Sequence, residues 1–270
     1  MTEPATTPLA ADRYGGTWVV LPTYDEAENL EPISEAILSA LPGARLLVVD
    51  DDSPDGTGDL ADRLAAQDPL IEVLHRSDKE GLGKAYVDGF QVALEGGAVR
   101  VVQMDADWSH SPDYLPALMG ALDDGADLVI GSRYAPGGGV RDWGLLRRIV
   151  SRGGSLFAKI VLRLGPNDLT GGFKAWRREA LEAVDWDRLH SGGYVFQIET
   201  TYLATRAGAV VREGPIVFKD REVGTSKMSK SIIIEALVVV LQLRWEELRG
   251  REPTTRMGPD DNLSPERTDK

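Results

Sequence analysis

The chain has 270 residues, 42% of them hydrophobic and 27% charged, enough for one large α/β domain or two small ones. With 43 acidic against 30 basic residues the net charge is −13, which argues against nucleic acid or anionic lipid as a partner of the whole surface; an anionic ligand must meet a local basic patch. The absence of cysteine excludes a disulfide framework and any thiolate metal site.

Residues 1–14 mix Pro, Thr, Ala and acids with neither a basic start nor an apolar segment, so they read as a flexible leader and not a signal peptide, and a cytoplasmic protein is the expectation. Thr17-Trp18-Val19-Val20-Leu21 reads as a first strand, ended by Pro22-Thr23-Tyr24-Asp25-Glu26-Ala27-Glu28-Asn29. Acidic residues in a first turn favour a helix start, and Leu30, Ile33, Ile37, Leu38 and Leu41 give that helix its apolar stripe. A second strand over 45–49 runs into Asp50-Asp51-Asp52-Ser53-Pro54-Asp55-Gly56-Thr57 and a helix with Leu60 and Leu64 inward. Consecutive carboxylates at a strand's carboxyl end repel one another and need ligands or donors, and Asp51 is placed to accept hydrogen bonds from a nucleobase or ribose. A third strand over 70–74 leads into His75-Arg76-Ser77, and Gly81-Leu82-Gly83-Lys84 opens a helix without the spacing of a phosphate loop.

The fourth strand, Val101-Val102-Gln103-Met104, breaks into Asp105-Ala106-Asp107-Trp108-Ser109-His110. Side chains at i and i+2 of an extended chain share a face, so the two carboxylates are expected to point together just before a Ser111-Pro112 helix start. In an open α/β sheet that crevice is where ligands bind, and two hard oxygen ligands suit a divalent cation that completes its shell with water and a diphosphate. A fifth strand over 127–130 ends in Gly131-Ser132-Arg133-Tyr134. Arg133, on the same rim as Asp51, Asp105 and Asp107, is expected to be their counter-charge or a phosphate ligand. The alternation of strands and helices over 17–132 predicts a parallel sheet with right-handed crossovers.

From residue 135 the pattern changes to a Gly-rich loop and a basic segment, with Arg141, Arg147, Arg148 and Arg152 against the single acid Asp142. In so acidic a chain this reversal calls for an anion. Arg147 and Ser151 are one helical turn apart and could grip a single phosphate, ahead of an apolar helix with Leu156, Phe157, Ile160, Val161 and Leu164. A tight turn over 167–173, a helix opening at 192–199 and strand-like pieces at 210–211 and 215–218 follow. Arg221 and Lys227 flank Gly224 in a stretch expected to be a mobile lid over donor phosphates. The literal match of 227–231 to the KMSKS loop of class I aminoacyl-tRNA synthetases is set aside, because the partner motif of that family is missing. The apolar run 232–243 is too short to span a bilayer and reads as a docked or interfacial amphipathic helix, and 249–270 reads as a disordered tail.

Seven ordered motifs, from Pro22-Thr23-Tyr24-Asp25-Glu26-Ala27-Glu28-Asn29 through Asp50-Asp51-Asp52-Ser53, Asp105-Ala106-Asp107-Trp108, Gly131-Ser132-Arg133-Tyr134, the segment 147–153, Asp168-Leu169-Thr170-Gly171-Gly172-Phe173 and Gly193-Tyr194-Val195-Phe196-Gln197, resemble the dolichol-phosphate (polyprenol-phosphate) mannosyltransferase family over residues 17–245. The resemblance implies a GT-A fold with a mostly parallel sheet, in a single domain over 15–248 whose nucleotide-binding half is 15–133 and whose acceptor-binding half is 134–248. It implies transfer of mannose from GDP-mannose to a polyprenyl or dolichyl phosphate, with inversion, assisted by Mg2+ or Mn2+. By the same resemblance Pro22, Tyr24, Glu26, Val49 and Asp51 hold the nucleoside, Asp105, Ala106 and Asp107 the diphosphate region and its metal, and Arg133, Arg221 and Lys227 the phosphates. Ser109 stands in the metal shell where some members carry a glutamine. A lipid phosphate, with a second pKa of about 6, is already largely ionised at neutral pH. The nucleophile then needs no strong base, and His110 and Glu199 are read as structural. Within the enzymes the alternative is a polyprenyl-phosphate glucosyltransferase or a glycan-extending transferase using a UDP-sugar; outside them, a nucleotide-sugar-binding regulator, or a subunit relying on a membrane partner protein. The implied location is the cytoplasmic face of a membrane, held peripherally.

Overall fold

The structure is a computed structural model that describes residues 13–77, 81–190, 193, 195–219, 230–250 and 257. Its main strands are β1 (Thr17–Thr23), β2 (Arg45–Asp50), β3 (Ile71–His75), β4 (Arg100–Gln103) and β5 (Leu128–Ser132), followed by a two-residue β6 (Gly139–Val140). The later strands are β7 (Lys174–Arg177), β8 (Val211–Pro215) and the short β9 (Val217–Phe218), which pairs with β6. The helices are α1 (Ala27–Ala40), α2 (Thr57–Gln67), α3 (Leu82–Glu95), α4 (Leu115–Asp123), α5 (Leu145–Leu162), α6 (Arg178–Glu182), α7 (Phe196–Arg206) and α8 (Lys230–Leu248).

Seven strands form one sheet in the order β3-β2-β1-β4-β7-β5-β8. All neighbours are parallel except β7, which runs antiparallel to both β4 and β5. The five strands over 17–132 run parallel as expected, but β4 and β5 are not neighbours, because β7, a strand from the second half, lies between them. Alternation along β1 and β2 sends Val19, Leu21, Leu46 and Val48 to one face and Val20, Leu47 and Val49 to the other. The first face packs against Ile33 and Ile37 of α1 and Leu118 of α4; the second packs against Tyr86 and Phe90 of α3, Phe196 of α7 and Val240 of α8. Burying each such side chain contributes roughly 1.5–3 kcal/mol. A Cβ on Gly89 would stand 2.4 Å from Val20 Cγ1, so only glycine lets α3 lie this close to β1.

Two boundaries and the character of one helix differ from the sequence reading. Tyr14, assigned to the leader, is 5% exposed and donates its N–H to Pro42 O at 3.1 Å, because its ring completes the core beside α1. Met257, assigned to the disordered tail, donates its N–H to Ala207 O at 2.9 Å and packs on the larger core cluster. The C-terminal helix α8, expected to be amphipathic, carries apolar residues on both sides: Val239, Val240 and Leu243 are buried while Ile234, Val238, Leu241, Trp245 and Leu248 are exposed. The two-faced helix is α5, whose Ser151, Ser155, Ala158 and Leu162 turn inward.

Candidate active site

The carboxyl ends of β1 and β2 are stitched into one corner. Asp25 N–H donates to Ser53 Oγ at 3.2 Å, Glu26 N–H to Thr57 Oγ1 at 3.0 Å and Ala27 N–H to Asp55 Oδ2 at 3.0 Å. Burial pushes the Asp55 carboxyl up, but hydrogen bonds from Thr57 and from the Ala27 N–H outweigh it and hold the pKa below the ordinary carboxylate value. Pro22 lies in register with Val49, Tyr24 is half-buried, and Glu26 accepts from Asn29 Nδ2 at 2.7 Å. Val49 is fully buried between β1 and β3, and its carbonyl accepts from Thr23 Oγ1 at 3.4 Å. Asp51 is buried and ion-paired with Arg76, whose Nε donates to Asp88 Oδ2 at 2.8 Å. Arg76 was missed in the sequence; it sits one residue past β3 on the same rim, beside an open recess of about 410 Å³.

At the end of β4 the chain turns at Trp108, whose φ of 60° lies in the left-handed region that few bulky residues enter. That turn brings Ser109 N–H to Asp107 Oδ1 at 3.0 Å. Asp105 accepts from Tyr86 Oη at 2.7 Å, and its N–H donates to His110 Nδ1 at 3.2 Å. Burial lowers the His110 pKa against the upward pull of Asp105 and Asp107, so at neutral pH the ring is an uncharged acceptor that orients Asp105. Burial, followed by the charge of Asp105, raises the Tyr86 pKa well above its ordinary value and keeps its hydroxyl a donor. The charges of both carboxylates act on Tyr86 and His110, from a turn that follows the end of β4 at Gln103. Ala106 is buried in the core between them.

These residues fit a divalent cation. Ser109 Oγ is buried with no hydrogen-bond partner among the described residues, beside two carboxylates. Among the described residues no three His, Asp or Glu side chains form a closed cage, so an ion there would draw its remaining oxygens from water and a ligand.

Arg133 corrects one expectation. Its counter-charge is Asp168 and not Asp51, Asp105 or Asp107: Nε and Nη2 donate to the two Asp168 oxygens at 2.7 and 2.6 Å, and the Arg133 N–H adds a third bond at 2.9 Å. Burial opposes the Arg133 charge, and Asp168 more than offsets it, leaving the pKa raised. Nη2 also donates to Thr170 Oγ1 at 2.8 Å, while Nη1 makes no hydrogen bond among the described residues. The Trp143 and Phe218 rings lie 5.3 and 5.5 Å from its Cζ.

A cavity of about 160 Å³ opens between α5, α7 and α8. Asp105, Ser109, Arg133 and Arg147 are among its polar lining residues, and Phe157, Ile233, Leu237 and Val240 among its apolar ones. Arg147 stacks on Trp143 at 4.2 Å, and Ser151 Oγ accepts from Tyr134 Oη at 2.8 Å; both residues line the cavity from one face of α5. Arg221 and Lys227, with the lid expected around them, lie outside the described residues. Asp168 and Gln197 join the site from segments read as a plain turn and a helix start; their signal was position after strand or turn, and their partners are distant in sequence.

Residues 18–185 match the family model described as Glycosyl transferase family 2. The chain is 48% identical over 236 residues to the undecaprenyl-phosphate mannosyltransferase of Micrococcus luteus, covering 86% of this chain and 97% of that protein. It is equally 48% identical to the polyprenol monophosphomannose synthase of Mycolicibacterium smegmatis, covering 87% and 88%. Among solved structures it resembles Mycobacterium tuberculosis glucosyl-3-phosphoglycerate synthase in complex with Mn2+, UDP and glucosyl-3-phosphoglycerate, with a TM-score of 0.62, 21% identity and coverage of 90% and 86%. It also resembles the mannosyl-3-phosphoglycerate synthase of Rubrobacter xylanophilus, with a TM-score of 0.60, 19% identity and coverage of 93% and 78%.

Proposed function

The chain belongs to glycosyl transferase family 2 and has its GT-A architecture, and from that premise we propose that it transfers mannose from GDP-mannose to a polyprenyl phosphate. The observation that carries the reading is a cavity lined both by two arginines and by apolar side chains of α5 and α8. Arg133 and Arg147 suit a phosphate head, and the walls from α5 and α8 suit the first isoprene units. Relatives at 48% identity whose names specify mannose transfer to such lipids support it.

In this reading the stitched corner around Asp51 holds the nucleoside and the Asp105–Asp107 turn holds the diphosphate. The acceptor phosphate oxygen attacks the anomeric carbon from the Arg147 side, the bond from that carbon to the diphosphate breaks, and GDP departs with both electrons. The acceptor carries its own negative charge, so no side chain has to take a proton, in keeping with an uncharged His110 that is occupied as an acceptor. Arg133, held rigid by Asp168, stabilises the phosphate charge without reorganising. A bound Mg2+ or Mn2+ would be held by Asp105, Asp107 and Ser109 and would stabilise the charge on departing GDP.

The bilayer contact is peripheral. No helix of the described residues is long and apolar enough to cross a membrane. Leu145 and Leu146 of α5, each 75% exposed, continue into Ile149, Leu156 and Ile160, and α8 adds Ile234, Val238 and Leu241 beside the shared cavity. With Arg148 and Arg152 exposed among them, this face suits the cytoplasmic surface of a membrane from which the lipid enters.

The test is to incubate the purified protein with a panel of GDP- and UDP-sugars and a polyprenyl phosphate and to identify the lipid product. Mannosyl lipid from GDP-mannose is expected; product only from a UDP-sugar would replace the donor assignment.

A further inference from the structure

Gln197, in the first turn of α7, is 3% exposed and lines the cavity. Its carboxamide is held from behind: Oε1 accepts from Gln103 Nε2 at 2.7 Å. Its main-chain oxygen accepts from Lys174 Nζ at 2.8 Å, and Lys174 donates again to Thr200 Oγ1 at 2.9 Å. Gln103 and Lys174 face one another across the antiparallel pairing of β4 and β7, so one cross-strand pair at the centre of the sheet fixes both the side chain and the backbone of Gln197. Holding a buried lysine against neutral oxygens is costly, and it is spent here on orienting one glutamine.

Nε2 has no partner among the described residues. It lies 3.4 Å from where a Gly172 Cβ would stand, a point that is also 3.5 Å from His110 Cε1 and 3.6 Å from Asp105 Oδ2. The lack of a side chain at Gly172 therefore leaves a small patch of cavity floor bordered by an amide donor and a carboxylate. The cations of the cavity, Arg133 and Arg147, match phosphates. A neutral, fixed N–H donor matches a hydroxyl instead, because it binds without demanding charge.

We propose that Gln197 is a sugar-binding residue, its Nε2 donating to a hydroxyl of the transferred hexose, with Gln103 and Lys174 as the positioning residues behind it. The proposal rests on the transferase reading above. It assigns the floor at Gly172 to the sugar and the arginines to the two phosphates.

The experiment compares wild type with Gln197→Glu, which keeps the acceptor for Gln103 but removes the donor, and with Gln197→Met as a second variant free of added charge. Calorimetric titrations with GDP and with GDP-mannose, initial rates against polyprenyl phosphate, and thermal unfolding midpoints are measured for each. Expected are unchanged GDP affinity, a loss of at least tenfold in kcat/KM for GDP-mannose, and an unchanged KM for the lipid phosphate. A set of GDP-deoxymannoses should include one that wild type uses at least tenfold less well than GDP-mannose and that the folded variant no longer distinguishes. Gln103→Leu, which touches no substrate, should lower kcat with the acceptor KM intact. If wild type transfers mannose and a folded Gln197 variant keeps both its GDP-mannose kinetics and its discrimination, the inference is overturned; it is equally overturned if the acceptor KM alone rises. A wild type that transfers no sugar from GDP-mannose would instead overturn the functional reading beneath it.

Discussion

Asp168 holds Arg133 at three points, through the main-chain N–H, Nε and Nη2, with the aspartate fully buried and the arginine nearly so. Glu213 fixes the aspartate in turn, accepting from the Asp168 N–H at 3.0 Å and from Ser132 Oγ at 2.7 Å. Removing one partner of such a pair strands the other as a buried charge, which costs ~3–5 kcal/mol. Asp168→Ala is therefore expected to lower the urea unfolding midpoint sharply. The double variant Arg133→Met with Asp168→Leu should recover much of that stability while leaving turnover lost. Recovery of turnover with the fold would show that Arg133 acts only as a structural element.

Asp105→Asn or Asp107→Asn should reduce turnover at least ~10²-fold, the scale expected when metal-assisted charge stabilisation is lost. EDTA should abolish activity of the wild type, and Mg2+ or Mn2+ should restore it. Activity that survives exhaustive chelation would remove the ion from the mechanism.

Arg147→Ala should raise the KM for polyprenyl phosphate by ~10- to 100-fold, the equivalent of roughly 1.5–3 kcal/mol for a charge-assisted contact. GDP-mannose binding, measured by calorimetry on the same variant, should stay nearly unchanged, because Arg147 stands on α5 beside Trp143 and far along the chain from the nucleoside corner. Collapse of donor binding with normal acceptor dependence would assign this arginine to the nucleotide.

Leu145→Asp with Leu146→Asp should weaken flotation with vesicles containing anionic lipid, since each exposed leucine contributes roughly 1.5–3 kcal/mol when it is withdrawn from water. Carbonate washing should release the wild type from membranes. Flotation unaffected by both charges would place the contact elsewhere on the molecule.

Lys174 gives a pH signature. Burial lowers its pKa from 10.5 to about 7. Below pH ~7 both the folded and the unfolded chain carry the proton, and folding bears the full cost of burying the charge. Between ~7 and ~10 the unfolded chain binds more protons than the folded one, so this residue's penalty fades and stability rises with pH. Urea midpoints at pH 7 and pH 9 should therefore separate more in the wild type than in Lys174→Met. Equal separation would mean that Lys174 keeps an ordinary pKa.

The parts of the site that the sequence declared were local in character. Asp105 and Asp107 stood out because a strand ended in paired carboxylates, and Arg147 and Ser151 because a helical turn separates them. Arg133 was legible as a rim residue but its partner was not, since Asp168 lies in a turn whose role depends on Glu213 and Ser132 approaching from two other strands. Strand β7 went unread because Lys174, Trp176 and Arg177 fill a four-residue run that shows no apolar alternation. Lys174 is buried through bonds made to α7, and those exist only in the folded chain.

The place of β7 in the sheet also sets an order of assembly. Strands β1 to β4 pair among themselves within the first 103 residues, whereas among the described residues β5 neighbours β7 and β8. In a chain ending at Arg133 the strand before that arginine would lack both β7 and β8, the strands that flank it in the folded sheet. It joins the sheet only after residues 174–177 have been made and folded back between β4 and β5. β7 thus joins the acidic turn after β4 to the Arg133 turn after β5, and a chain without it would leave the edges of β4 and β5 open to wrong pairing.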